Sequence, residues 1–302
     1  MAAEYAQSKL LEVTLTKNRI DLIPDITYAQ VSVHSYPNVD LKLDLLRPRT
    51  GRHNPLVVFV TGGGFITSNR AGHLEVRMRL AEEGFTVASI EYRYAPQICL
   101  PAPIIDTKCA IRYLRKNAMR FGIDPLRIGI MGTSAGGYLA SFAGVTGHSR
   151  LFDEGPNLDV SSRVACVVDV YGVSDLSRMA EGFDEHKQQE YASPSACQAL
   201  WLNGCTICGG VDASVLERPE EVAKYNPVNY VDEHTPPFLI FHGSADTLVS
   251  PVQTDLMFQR LRQCGIPAER YLVKGAGHGG VHWVQNEVQD LIVAFFREHL
   301  QG

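Results

Sequence analysis

The chain has 302 residues, 45% of them hydrophobic and 20% charged, which supplies ample apolar material for a core and excludes a disordered chain, a fibrous one or a disulfide-stapled mini-protein. Its 28 Lys and Arg against 33 Asp and Glu leave a net charge of −5, without the basic excess that neutralising nucleic-acid phosphates requires, so nucleic acid is not an expected partner. At about 150 residues per domain the length fits either two domains or one α/β domain carrying an insertion.

From the N-terminus, Met1 to Leu10 lacks a basic stretch followed by an apolar one. No run approaches about 18 uninterrupted apolar residues, and no Asn-X-Ser/Thr sequon occurs. These features lead to the expectation of a soluble cytoplasmic protein with no membrane partner. The next segments, Ala29–Tyr36 and Val39–Leu45, alternate apolar and polar residues around Pro37-Asn38, which predicts an antiparallel hairpin turning there.

From Leu56 the pattern changes to short continuous apolar runs: 56–60, 86–90, 128–131, 165–170 and 238–241. Such runs suit parallel strands buried on both faces. A further strand is expected over 270–274. Between the runs lie helical segments, for instance Ile105, Cys109, Tyr113 and Phe121 at helical spacing in a stretch that stops at Gly122. The alternation predicts an open, mostly parallel α/β sheet of about eight strands flanked by helices. Residues 174–237 break the rhythm, with no strong strand and scattered Cys, Tyr and Trp; they read as a small helical cap insertion over the sheet edge, within a single domain spanning 1–302.

Three post-strand loops carry the residues suited to chemistry. After the strand ending at Met131 comes Gly132-Thr133-Ser134-Ala135-Gly136-Gly137 and then a helical run. Gly-X-Ser-X-Gly between strand and helix lifts a strained serine above the sheet, and the helix N-terminus offers N–H groups to a developing negative charge. Thr61-Gly62-Gly63-Gly64-Phe65 follows the 56–60 strand and suits an oxyanion hole, because side-chain-free backbone can approach a bound oxygen. The phosphate-cradle alternative lacks both a Walker Lys-Ser/Thr and a G-x-G-x-x-G helix start. Asp246 lies just past the 238–241 strand and His278 in the Gly-rich loop after the 270–274 strand. The order Ser134, Asp246, His278 is that of the α/β-hydrolases.

Competing readings concern histidines and thiols. His242 sits inside a strand end, where a satisfied core hydrogen bond suits it better than catalysis. His278 and His282 are four apart, but Gly279-Gly280 opposes a helix through both, and no third metal ligand is evident. Cys205 and Cys208, with Cys197, lack the second ligand pair that a structural zinc needs; they read as unpaired thiols under the cap, a Cys205 disulfide being the better reading only for a secreted chain.

With these motifs in place, the chain resembles the serine carboxylesterases of the α/β-hydrolase fold. It is similar to the bacterial bifunctional feruloyl and acetyl xylan esterases, near the hormone-sensitive-lipase-like and kynurenine-formamidase-like branches. The resemblance runs from about Pro55 to Gly302 through the glycine loop, Ile90–Pro96, Asp106–Leu114, Phe121–Pro125, the Ser134 motif and His242–Asp246. It implies Ser134 as nucleophile, His278 as general base and then acid, and Asp246 as its orienter. Oxyanion donors would be the backbone N–H groups of Gly63, Gly64 and Ala135, and neither metal nor cofactor would be needed. Thr61 stands where lipase-like relatives often carry His. The implied partner is a small-molecule or oligosaccharide ester, with acetyl or feruloyl groups on xylan-derived carbohydrate as the expected substrate. Oligomeric state stays open, a homodimer included. Phe65, Tyr171 and Trp201, with Phe183 and Tyr225, are candidates for an aromatic substrate wall, although aromatic residues at such positions equally suit a core. The alternatives are an amide hydrolase of the arylformamidase or peptidase type and a non-catalytic ligand receptor on the same fold.

Overall fold

Period-two alternation produces two long N-terminal strands, β1 (Ile20–Val33) and β2 (Tyr36–Pro48). The computed structural model describes residues 8–34, 36–51 and 53–301; Ser35 of the expected hairpin, Gly302 and the first seven residues, on which the leader reading partly rests, lie outside the described residues. β1 and β2 pair antiparallel, with Val33 opposite Tyr36 and Val31 opposite Val39. The reversal therefore falls between Val33 and Tyr36, and Pro37 and Asn38, expected to form it, belong to β2. This register turns Leu41, Leu43 and Leu45 into the core. Pro37 is tolerated because β2 meets its second neighbour only over Leu43–Leu46, leaving one edge of the strand unpaired at the hairpin tip.

The continuous apolar runs form β3 (Asn54–Val60), β4 (Thr86–Ile90), β5 (Ile123–Thr133), β6 (Val167–Val170), β7 (Phe238–Gly243) and β8 (Ala268–Val273). The eight strands make one sheet in the order β1-β2-β4-β3-β5-β6-β7-β8. Pairing is antiparallel at β1–β2 and β2–β4 and parallel elsewhere. This is the α/β-hydrolase architecture expected from the sequence. Every residue of β3, β4, β6 and β7 is buried, the reason their sequences do not alternate.

Helices cover both faces. On one side pack α1 (Leu74–Glu82) and the C-terminal α9 (Asn286–Leu300), with Leu80 and Phe296 meeting Val57 and Phe59 of β3. The other side holds α2 (Ala102–Lys116), α4 (Ala135–Thr146) and α8 (Val252–Gln263), which close over Leu56, Val58 and Val60. The helix expected through Phe121 is divided at Asn117, so that α3 (Ala118–Phe121) is a separate turn capped by Gly122 at φ 68°.

Between β6 and β7 the chain forms α5 (Glu185–Tyr191), α6 (Cys197–Asn203) and α7 (Pro219–Ala223), joined by 3-10 turns. Its Leu176, Met179, Trp201 and Val222 belong to the same core cluster as α2 and α4. The segment does not hang over a sheet edge as expected. It sits on α4 and the post-strand loops: Tyr138 Oη donates to Tyr225 O at 2.7 Å, Leu100 N to Trp201 O at 2.9 Å, and Tyr191 Oη to Leu248 O. These bonds attach it to the end of the sheet where the candidate residues converge. Among the described residues no helix is long and apolar enough to cross a membrane.

Candidate active site

Ser134 joins β5 to α4 with φ 54° and ψ −122°, a conformation an L-residue adopts only when its surroundings impose it. Two close approaches impose it here. A Cβ on Gly132 would lie 2.0 Å from Gly136 O, and one on Gly136 would lie 2.0 Å from Val60 O, so only glycine permits the chain to turn this sharply against β3. The Ser134 N–H donates to Val170 O at 2.9 Å, fixing the elbow to β6.

The structure brings Ser134, His278 and Asp246 into one hydrogen-bonded chain. His278 Nε2 lies 2.8 Å from Ser134 Oγ, and His278 Nδ1 lies 2.7 Å from Asp246 Oδ2. Since a carboxylate only accepts, Nδ1 carries a proton and Nε2 is free to accept the serine hydroxyl proton. Burial works against the charge of Asp246, but hydrogen bonds from His242 and His278, and from the Val249 N–H, hold its carboxyl well below the usual carboxylate range. Its second oxygen accepts the N–H groups of Leu248 and Val249 at 2.9 and 3.0 Å. Tyr171 closes the other side of the imidazole, its ring centroid 4.6 Å from that of His278.

The glycine loop abuts the serine. A Cβ on Gly62 would stand 2.9 Å from Ser134 Cβ. Its N–H is held by Thr133 Oγ1 at 3.0 Å, and Gly63 O accepts the N–H groups of Ile66 and Thr67. Among the described residues, the N–H groups of Gly63, Gly64 and Ala135 donate to no protein acceptor. They are therefore available to an incoming oxyanion beside Ser134. At Thr61, the position where the resemblance leads one to expect His, the backbone carbonyl is anchored by Tyr92 Oη at 2.8 Å.

The BD-FAE family model matches residues 43–261. The chain belongs to the BD-FAE family. Esterase LipC of Mycobacterium tuberculosis is 31% identical over 228 residues, 74% of this chain and 53% of that protein. Isoprenylcysteine alpha-carbonyl methylesterase ICME of Arabidopsis thaliana is 28% identical over 249 residues, 78% of this chain and 53% of that one. The chain thus spans about half the length of the curated relatives it matches. Among solved structures, a truncated carbohydrate esterase from gut microbiota superimposes with a TM-score of 0.79 at 27% identity, covering 96% of this chain and 99% of that one. An acetyl ester-xyloside bifunctional hydrolase from Caldicellulosiruptor lactoaceticus gives 0.68 at 26% identity, covering 86% and 88%.

In this BD-FAE chain the candidates for an aromatic substrate wall differ in burial. Trp201 is 0%, Phe65 2% and Tyr171 3% exposed. Phe65 lies against Trp201 at 4.8 Å, tilted by 32°, and meets Tyr138 at 5.7 Å, so these rings form packed support beneath the glycine loop and the segment between β6 and β7. Burial of large aromatic area outweighs display on a wet surface. Phe183 and Tyr225 are half-buried. Tyr191, which sequence reasoning passed over, ties the cap to the loop after Asp246.

His242 is fully buried, as a core histidine should be, but its Nε2 also lies 3.2 Å from Asp246 Oδ2. His282 is exposed on a separate 3-10 turn, with Gly279 and Gly280 at φ 94° and 93° preceding it. All seven cysteines are free thiols; Cys205 is half-buried and Cys208 exposed, so they lie at the cap surface instead of beneath it. With Cys99 they line a cavity of about 670 Å³ that includes none of Ser134, Asp246 and His278.

Proposed function

We propose that this BD-FAE chain is a serine carboxylesterase that cleaves short acyl or aryl esters through an acyl-enzyme, with acetyl or feruloyl groups on xylan-derived carbohydrate as its substrate. The observation that carries the reading is the unbroken hydrogen-bonded chain from Ser134 through His278 to Asp246 at the head of α4. Ser134 Oγ attacks the ester carbonyl while His278 Nε2 takes its proton, and the ionised Asp246 stabilises the imidazolium that forms. The oxyanion of the tetrahedral intermediate is received by the N–H groups of Ala135, Gly63 and Gly64. His278 then protonates the departing alcohol, and water, deprotonated by the same imidazole, releases the acid. Cleavage of carbohydrate esters is supported by the structural likeness to the gut-microbiota carbohydrate esterase and the acetyl ester-xyloside hydrolase.

A fluorophosphonate probe should label Ser134, and Ser134→Ala should abolish both labelling and hydrolysis of p-nitrophenyl acetate while the protein stays folded. Failure of the parent protein to react would favour a ligand receptor. A panel running from p-nitrophenyl acetate to decanoate, with acetylated xylo-oligosaccharide, methyl ferulate and N-formylkynurenine, tests the substrate: preference for long acyl chains or for the formamide overturns the carbohydrate-ester assignment.

A further inference from the structure

The candidate mechanism uses one histidine, but two touch Asp246. His242 lies at the end of β7 with a fully buried side chain, and its Nε2 faces Val249 O at 2.9 Å and Asp246 Oδ2 at 3.2 Å. Both of those atoms only accept, so Nε2 carries a proton. The opposite nitrogen, Nδ1, lies 2.9 Å from Thr254 Oγ1 on α8. Arg270 Nε donates to that same hydroxyl at 3.2 Å from β8, leaving the hydroxyl proton for His242 Nδ1 in preference to the more distant Pro251 O at 3.3 Å. The tautomer of His242 is thus set from behind by two elements of the scaffold, and its Nε2 proton, bonded to Val249 O, lies beside the carboxylate.

The geometry points to His242 as a positioning residue for Asp246: a fixed donor that holds Oδ2 at the angle from which it orients His278 and keeps the carboxylate a tempered acceptor. This inference rests on the proposed roles of Ser134, His278 and Asp246 and adds a residue behind them. Asp246 accepts hydrogen bonds from Leu248 and Val249 on Oδ1 and from His278 on Oδ2, and the His242 Nε2–H, shared with Val249 O, lies 3.2 Å from Oδ2. Of the two N–H groups beside Oδ2, only that of His242 is independent of the imidazole that must change protonation during turnover. Without it, Oδ2 is more basic and its direction is set only by His278 and by the Leu248 and Val249 N–H groups on Oδ1. The negative charge then stabilises the imidazolium formed during turnover more strongly.

The test compares His242→Leu, which removes the donor, with His242→Gln, whose amide nitrogen can reach the Nε2 position. Thr254→Val, isosteric at a buried site, is a third variant that leaves His242 in place but removes the group setting its tautomer. For p-nitrophenyl acetate hydrolysis, His242→Leu should lower kcat about 10-fold or more with KM within about twofold, the pattern of a lost transition-state interaction. The acid limb of its kcat profile should move to higher pH by about half a unit or more. His242→Gln should restore the limb most of the way, and Thr254→Val should shift it in the same direction by less. A folded His242→Leu or Thr254→Val enzyme with the parent's kcat and acid limb overturns the inference. A parent that neither hydrolyses the ester nor reacts at Ser134 fails the underlying reading instead, so the two failures are distinct. If His242→Leu does not fold, the Gln and Val variants decide alone: a parental acid limb in Thr254→Val overturns the inference, and a shifted one, with Gln close to the parent, supports it.

Discussion

The Gly62 N–H donates to Thr133 Oγ1 at 3.0 Å, so the loop after β3 is tethered by the residue immediately before Ser134. Thr133 Oγ1 also lies 3.3 Å from His73 Nε2, which leaves the hydroxyl little rotational freedom. Loop and serine are therefore set relative to each other by a side chain outside both the glycine triplet and the hydrogen-bonded chain. Thr133→Val keeps the shape and removes the acceptor. It should lower kcat for p-nitrophenyl acetate about 10-fold through misplaced oxyanion donors, with little change in KM. The orphaned N–H should cost about 1–3 kcal/mol of stability. Steady-state kinetics and denaturant unfolding check both, and an unchanged kcat would detach the glycine loop from transition-state stabilisation.

Asp246→Asn tests the orienter directly. The amide can present its N–H₂ to His278 Nδ1, forcing the proton onto Nε2, where it can no longer accept from Ser134. On the precedent of other serine hydrolases this tautomer error costs about 10⁴-fold in kcat. Ester turnover and the rate of fluorophosphonate labelling should fall together. Turnover within about 10-fold of the parent would remove Asp246 from the proposed role.

Backbone crowding makes a sharper prediction for the elbow. The Cβ that Gly136→Ala adds would meet Val60 O at 2.0 Å and Val60 C at 2.6 Å, main-chain atoms of a central strand that cannot step aside. By contrast Gly155, at φ 79°, has nothing within 4 Å of its Cβ position, so Gly155→Ala carries only local conformational strain of about 1–2 kcal/mol. Gly136→Ala should cost at least about 4 kcal/mol or abolish soluble expression, as overpacking against a rigid backbone does. Equal unfolding midpoints for the two variants would contradict this account.

Which features were legible in the sequence follows the same division between local and tertiary physics. Ser134, Asp246 and His278 could be read because each sits in a loop directly after a recognisable strand, and strand order then places those loops at one end of the sheet. The parallel strands could be read because burial on both faces writes a continuous apolar run. Hairpin register was not legible from the turn residues alone: Pro37-Asn38 has turn chemistry, but burial of Leu41, Leu43 and Leu45 outweighs it and moves the reversal upstream, between Val33 and Tyr36. Trp201 and Phe65 look the same in sequence whether they line a pocket or fill a core, and only the packing of the cap against α4 decides it. The bond of the Gly62 N–H to Thr133 and the contact of His242 with Asp246 join groups whose roles depend on three-dimensional adjacency.

Asp169 supplies a pH-dependent prediction. It lies on β6 beneath the elbow with no exposed surface, its Oδ1 accepting the Gly172 N–H at 2.9 Å and its Oδ2 3.5 Å from Ser141 Oγ. Burial without a cationic partner pushes its carboxyl up to about 7. A raised carboxyl means the folded state binds the proton more tightly than the unfolded chain. The stability it contributes is therefore fully present below the unfolded value of 3.8 and is lost progressively as pH rises to about 7, beyond which the loss is constant. The full loss corresponds to roughly 4 kcal/mol. Asp169→Asn preserves the acceptor for Gly172, fits a site where Gly137 and Gly172 leave no room for growth, and stays neutral. Its unfolding free energy should nearly equal the parent's at about pH 4, exceed it increasingly up to about pH 7, and keep a constant advantage above that. Urea titrations across this range measure the difference, and a gap that does not change with pH would mean that Asp169 carries no proton-linked cost.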